Sequence, residues 1–291
     1  MSTSSETTFR AALVQMRSGR SVERNVADAL ALIGEAAAQK ADYVQTPENT
    51  ALMELEPARL MAETQPEAGN KALEAFSTAA RNSKIWLHIG SIAVKVAERR
   101  LANRSYLIAP DGSIAARYDK IHMFDVDLGN GEVYSESVNY QAGASAILAD
   151  LPWGSLGLTI CYDLRFPALH RALAKGGAKF VASPAAFTRI TGEAHWHTLL
   201  KARAIETETF VFAAAQSGLH ENGRETFGHS LIISPWGEVL ADGGIEPGVV
   251  TADIDTRSID VIRRRIPSLT HDRAFDVVVV KCKTPEGAPQ A

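Results

Sequence analysis

Apolar positions along the chain fall into two periods, and the alternation between them sets the expected order of elements. The run Phe9-Arg-Ala-Ala-Leu-Val-Gln-Met16 reads as a first buried strand. After it Val22, Val26, Leu30, Ile33 and Ala37 recur at helical spacing behind Ser21, a good N-cap residue, so an amphipathic helix is expected. Asp42-Tyr-Val-Gln45 predicts a short strand running into Thr46-Pro47-Glu48. Pro47 has no N–H for a ladder, which leaves Glu48 at a strand end or in a loop. A helix is predicted over 66–81 and a strand over 85–96. Segments 104–109 and 113–118 flank Pro110-Asp111-Gly112, a hairpin turn in which proline presets one dihedral and glycine accepts positive φ. Segments 144–151 and 156–160 flank Pro152-Trp153-Gly154 in the same way. Helix, strand, helix and strand follow through Ala215, and the pattern closes on 230–234, Pro235-Trp236-Gly237 and 238–241.

One stretch is echoed later. Ser105-Tyr-Leu-Ile-Ala-Pro-Asp-Gly-Ser-Ile114 resembles Ser230-Leu-Ile-Ile-Ser-Pro-Trp-Gly-Glu-Val239 at an offset of 125. Each is a strand, a proline–glycine turn and a return strand, which fits two similar halves, each a sheet backed by helices. No composition break or linker divides the chain. One domain is therefore expected over 9–276, after a disordered N-terminus at 1–8 and before an extension at 277–291. In that extension 277–280 is all valine and reads as an added strand at an oligomer contact, followed by a mobile tail.

Composition adds exclusions. The chain has 291 residues, 46% hydrophobic and 22% charged, enough to bury a sizeable core in an ordinary soluble protein. Its formal net charge is -4 and its basic residues are scattered, so no nucleic-acid partner is expected. No run approaches the ~18 apolar residues of a membrane span, and the polar start lacks the basic-then-apolar order of a signal peptide. Only two cysteines occur, Cys161 and Cys282, too few for a disulfide framework. A cytoplasmic, reducing setting follows, in which a free thiol persists.

That thiol is the first candidate for chemistry. Cys161 follows the apolar strand Leu156-Gly-Leu-Thr-Ile160 and precedes Tyr-Asp-Leu-Arg-Phe-Pro167, with Pro167 suited to the first turn of a helix. Backbone N–H groups at such a junction favour both a thiolate and an oxyanion. In isolation a cysteine there is a small core residue. Asp163 and Arg165 change that reading, because charge at the end of an apolar strand needs a purpose. A thiol with an ordinary pKa near ~8.5 needs a base. None of the eight histidines carries the signature of a thiol-protease base, and His195 and His197 are two apart on a predicted helix, a poor spacing for a metal pair. Glu48, after a proline at a strand end, is an unexpected packing choice and a better base. Lys120 interrupts an apolar stretch. Cys282 reads as a non-catalytic thiol.

Taken together, Thr46-Pro-Glu-Asn-Thr50, Tyr118-Asp-Lys-Ile-His-Met-Phe-Asp125 and Cys161-Tyr-Asp-Leu-Arg-Phe-Pro167 resemble, in order and spacing, the three signatures of the nitrilase (carbon–nitrogen hydrolase) superfamily. Glu48 and Lys120 stand 72 residues apart, Lys120 and Cys161 41. The resemblance runs from about Phe9 to Asp276. It implies an α/β fold, a four-layer αββα sandwich that pairs into homodimers through a helical face. It also implies a Glu48–Lys120–Cys161 triad acting through a thioester, with Lys120 and the backbone N–H of Tyr162 stabilising the oxyanion. The family's second glutamate carries over to Glu136, with Glu132 close by. No metal or organic cofactor is implied, and the partner is a small-molecule amide. Later segments, including Pro184-Ala-Ala-Phe-Thr-Arg-Ile-Thr-Gly-Glu-Ala-His-Trp196, resemble the Nit branch, which holds deaminated glutathione amidases and ω-amidases, and Ala213-Ala-Ala-Gln-Ser-Gly218 with Gly228-His-Ser230 and Pro235-Trp-Gly237 resembles the former more closely. In that branch the positions of Arg165, Phe187 and Thr191 contact the substrate carboxylate. Tyr162-Asp163 departs from the Trp-Glu of nitrilases in the narrow sense, and His197 stands where relatives typically carry glutamate.

Overall fold

The computed structural model describes residues 7–129 and 131–281. Strand β1 (Thr8–Gln15) leads through helix α1 (Val22–Ala38) to β2 (Tyr43–Gln45). Helices α2 (Pro57–Glu63) and α3 (Lys71–Ser83) precede β3 (Trp86–Ala97), β4 (Arg100–Ile108) and β5 (Ile114–Asp119). A small ribbon, β6 (Asp125–Asp127) and β7 (Val133–Ser135), precedes β8 (Ile147–Leu151) and β9 (Gly154–Leu158). Then come α4 (Pro167–Lys175), β10 (Ala178–Ala182), α5 (Arg189–Thr207) and β11 (Phe210–Ala213). A second ribbon, β12 (Ser217–Leu219) and β13 (Glu225–Phe227), is followed by β14 (Leu231–Ile233), β15 (Val239–Asp242), β16 (Gly248–Asp255) and α6 (Arg257–Arg265).

The strands form two six-stranded sheets, ordered β16-β1-β2-β3-β4-β5 and β15-β14-β11-β10-β9-β8. In the first, β1, β2 and β3 run parallel, with β16, β4 and β5 antiparallel around them. The second repeats this with β9, β10 and β11 parallel, flanked by antiparallel β8 on one side and β14 and β15 on the other. The two proline–glycine hairpins echoed in sequence are thus β4–β5 and β14–β15, at equivalent edges.

Strand periodicity explains the layers, since alternate residues face opposite sides. Tyr43 joins the core between the sheets while its neighbour Val44 joins the core under α1 and α3. Phe9, Phe180 and Phe212 meet at the centre of the inner core, with Trp153 stacked on Phe9 at 4.1 Å. Helices α4 and α5 cover the outer face of the second sheet. The result is the expected αββα order.

Several boundaries differ from expectation. The helix predicted over 66–81 starts at Lys71, because the Asn70 side chain accepts the Leu73 N–H and caps it there. Glu67, freed from a helix, bonds Arg104, Tyr106 and Arg117 instead. Strand β1 already includes Thr8, paired with Asp255. The valines at 277–280 pair with no strand among the described residues of this chain and are 77–85% exposed. Cys282 and the tail beyond it lie outside the described residues.

Candidate active site

Glu48, Lys120 and Cys161 each follow the C-terminal end of a strand, β2, β5 and β9 respectively. Open α/β sheets place their crevices at such ends, where the backbone leaves the ladder. The Glu48 turn is fixed by Thr50, whose hydroxyl donates to the Pro47 carbonyl at 2.7 Å, and by Gln216, whose amide donates to the Glu48 carbonyl at 3.0 Å. Cys161 opens a 3-10 turn spanning Cys161–Arg165 and takes a φ of 49°, a strained conformation for a side-chain-bearing residue.

Asp163 shows why charge stands next to that strand. Fully buried, its carboxylate accepts from Tyr118 Oη at 2.7 Å, from the Ile160 N–H at 2.9 Å and from the His122 N–H at 3.1 Å, with His122 Nδ1 at 2.7 Å. It latches the cysteine turn to the Tyr118–His122 segment that carries Lys120. Arg203 holds the same turn from behind, donating twice to the Leu164 carbonyl.

Around the thiol lies a buried charge cluster. Lys120 Nζ donates to Glu48 Oε1 at 2.9 Å and to Glu136 Oε2 at 2.8 Å. Asn103, from β4, donates to both carboxylates at 3.0 and 3.1 Å. The second Glu48 oxygen accepts the Ala186 N–H at 3.0 Å, and Glu136 also accepts the Phe124 N–H at 2.7 Å. Glu136 is therefore the second carboxylate at this centre, while Glu132 lies on a neighbouring surface cavity.

The electrostatics follow from burial and pairing. Burial alone would raise the Glu48 carboxyl, but the charge and hydrogen bond of Lys120, together with the Arg224 charge and the Cys161 thiol, more than offset it and the carboxyl sits below its ordinary value. Burial alone would lower the Lys120 ammonium, yet the charges of Glu136 and Glu48 hold it well above its usual range. Burial pushes the Cys161 thiol up, and the adjacent Glu48 charge pushes it further. The resting centre thus holds a neutral thiol beside an ionised carboxylate and a fixed cation. Such an arrangement sets a carboxylate able to take a proton and a fixed positive charge beside a thiol.

A cavity of about 340 Å³ opens onto the cluster, lined by Glu48, Lys120, Glu136 and Cys161 together with Tyr134 and Arg224. Arg165, Phe187 and Thr191 are not among its lining residues. The Arg165 guanidinium lies over the Phe187 ring at 5.3 Å and faces His195 Nδ1 at 3.3 Å. Thr191 sits in the first turn of α5, its hydroxyl 2.9 Å from that of Thr188. The Tyr162 ring packs edge-on against Phe124 and Phe166, leaving its backbone in the first turn after the thiol. His197 groups with His229 and Asp242 away from the cavity, with donor atoms within 4.8 Å of one another. Sequence reasoning missed Asn103 and Arg224; a lone amide inside the apolar strand Leu101-Ala-Asn103 was the available signal for the first.

The family model described as carbon-nitrogen hydrolase matches residues 10–264. The chain is 41% identical over 268 residues to the deaminated glutathione amidase of Synechocystis, covering 90% of this chain and 97% of that one. It is 34% identical over 279 residues to the human omega-amidase NIT2, covering 96% of this chain and all of the relative. Among solved structures it is similar to the C. elegans NitFhit protein, with a TM-score of 0.86 at 35% identity, over 92% of this chain and 66% of that longer one.

Proposed function

The chain belongs to the carbon-nitrogen hydrolase family, and from that premise we propose that it hydrolyses the C–N bond of a small, carboxylate-bearing amide through a Cys161 thioester. The carrying observation is the contact of Lys120 with both Glu48 and Glu136 beside a buried thiol at a cavity wall. Glu48 takes the thiol proton as Cys161 Sγ attacks the carbonyl carbon. The oxyanion is stabilised by the Lys120 ammonium and the Tyr162 N–H, a contribution worth about 10²–10³-fold per donor. The proton held on Glu48 passes to the departing nitrogen, the C–N bond breaks and a thioester remains. Glu48 then deprotonates water, which attacks the thioester and releases the acid and the thiol.

Similarity to deaminated glutathione amidases favours deaminated glutathione as substrate. The relation to the omega-amidase supports α-ketoglutaramate as the second reading. Both are tested in one assay, by comparing kcat/KM for the two substrates with and without hydroxylamine. Hydroxylamine is expected to divert the thioester to a hydroxamate, and Cys161→Ala to lose at least ~10⁴-fold in kcat. Hydrolysis unaffected by the substitution would sink the thioester mechanism, and a clear preference for α-ketoglutaramate would select the second reading.

A further inference from the structure

His197, His229 and Asp242 form the one grouping among the described residues in which three metal-ligating side chains bring their donor atoms within 4.8 Å of one another. They come from three elements. His197 lies midway along α5, His229 in the link between β13 and β14, and Asp242 at the end of β15. The group stands apart from the Cys161 cavity, and the amidase reading makes no use of it.

The two oxygens of Asp242 are used differently. Oδ1 makes ordinary hydrogen bonds, 2.8 Å from His229 Nδ1 and 2.9 Å from the Gly244 N–H. Oδ2 lies 3.1 Å from His229 Nδ1 and 3.3 Å from His197 Nε2, longer than the ~2.7–2.9 Å of a charge-assisted bond. Donors around a tetrahedral zinc ion at about 2.0–2.2 Å stand about 3.3–3.6 Å from one another. Two edges of such a face are therefore close to length already. The third, between the two nitrogens, closes by rotation of the His197 ring, which is 36% exposed. The rest of the group is held in place. His229 has a φ of 54°, its N–H donates to the Gly244 carbonyl at 2.6 Å and its carbonyl accepts from Trp196 Nε1 at 2.8 Å. Phe227 stacks on the His229 ring at 4.6 Å and meets the His197 ring edge-on at 6.0 Å, so one apolar side chain orients both imidazoles.

We propose that His197 Nε2, His229 Nδ1 and Asp242 Oδ2 bind one divalent transition ion of the zinc class, with water completing its shell on the solvent side. Two imidazoles and a carboxylate suit zinc rather than Mg²⁺ or Ca²⁺, which take oxygen ligands. The bound ion pins α5 to the β14–β15 edge of the second sheet, so it stabilises the folded chain by mass action. No step of the amidase reading is needed for this.

The test titrates the metal-free full chain with Zn²⁺ and with Co²⁺ at neutral pH. One ion per chain is expected to bind with a micromolar Kd and to raise Tm, while Mg²⁺ does neither. Asp242→Asn and His197→Gln should each weaken binding by at least about 10-fold, since even a change behind a ligand costs that much. His271→Gln, at an exposed histidine outside the three elements, should leave binding unchanged. His197→Glu returns a ligand oxygen at similar reach and should recover part of what His197→Gln loses, which separates ligation from misfolding. The Co²⁺ spectrum identifies the donors, because imidazole and carboxylate give only weak visible bands. A strong near-ultraviolet band from sulfur would place the ion on Cys161 or Cys282 and overturn the proposal. So would binding weaker than millimolar, binding unmoved by Asp242→Asn and His197→Gln, a loss in His271→Gln as large as theirs, or no recovery in His197→Glu.

Discussion

At the scale of single residues, the proposed mechanism turns on two neighbouring groups that must exchange a proton. Glu48 is held ionised by Lys120, whereas burial and the Glu48 charge keep the Cys161 thiol neutral. Replacing Glu48 by Gln removes the charge contribution and leaves burial, so the thiol should ionise more easily than in the unsubstituted protein while staying above an ordinary cysteine. Activity should nonetheless fall by about 10²–10⁴-fold, because the base is gone. Thiolate absorbance against pH, with Cys161→Ala as the blank for Cys282, reads the first expectation and steady-state rates read the second. A thiol that becomes harder to ionise, or an unchanged rate, would contradict this account. The same pair shows what sequence could deliver. Each of Glu48, Lys120 and Cys161 has a bland explanation alone, and only their joint order singles them out. Arg224 had no such help: in Glu221-Asn-Gly-Arg224 it reads as one more charge on a solvated turn.

At the scale of elements, the groups of the candidate site stand on loops pressed together by strands that repeat. Gly90 in β3 marks where they press hardest. A Cβ there would stand 2.2 Å from the Thr46 carbonyl oxygen and 2.5 Å from both the Pro47 carbonyl oxygen and Pro184 Cβ. The first two atoms lead directly into Glu48. Gly90→Ala should therefore cost about 1–3 kcal/mol and lower kcat by displacing the base. Gly34→Ala, on the exposed side of α1 with nothing within 4 Å of the new Cβ, should instead stabilise by about 1 kcal/mol through helix propensity. Thermal melts and kcat of both variants check this, and a Gly90→Ala protein as stable and active as its parent would refute the close approach. The hairpins were legible because proline and glycine dictate their turns. The end of the 66–81 helix was not, because its start depends on the capping side chain of Asn70 competing with the distant arginines that claim Glu67.

At the scale of the whole molecule, the join between the sheets carries polar groups that make stability depend on pH. His88 lies between the layers, with Nδ1 2.8 Å from Tyr43 Oη and Nε2 2.6 Å from Ser105 Oγ, and burial lowers it to about 3. Gln45, beside it, accepts the Ala214 N–H and so ties the first sheet to the second. His170 is likewise lowered by burial to about 3, and His220 to about 4. Each of these bases binds its proton only in the unfolded chain until the pH reaches its folded value. Stability is therefore complete above the unfolded histidine pKa of ~6.5 and is lost as pH falls from there toward 4 and 3. Three such groups amount to about 4 kcal/mol per pH unit in the steep part of that window, a large fraction of an ordinary domain's stability. The depressed carboxyls of Glu48 and Glu67 act in the same direction, but only below about pH 4.5. Urea midpoints measured from pH 7.5 to 5 should fall well before any carboxylate titrates. Converting His220 to Gln, which retains a group able to bond Ser18 and Thr226, should reduce the proton uptake on unfolding from about three to about two. A stability flat between pH 7 and 5 would mean that these three histidines are not held neutral, and that their surroundings are wetter than the packing shows.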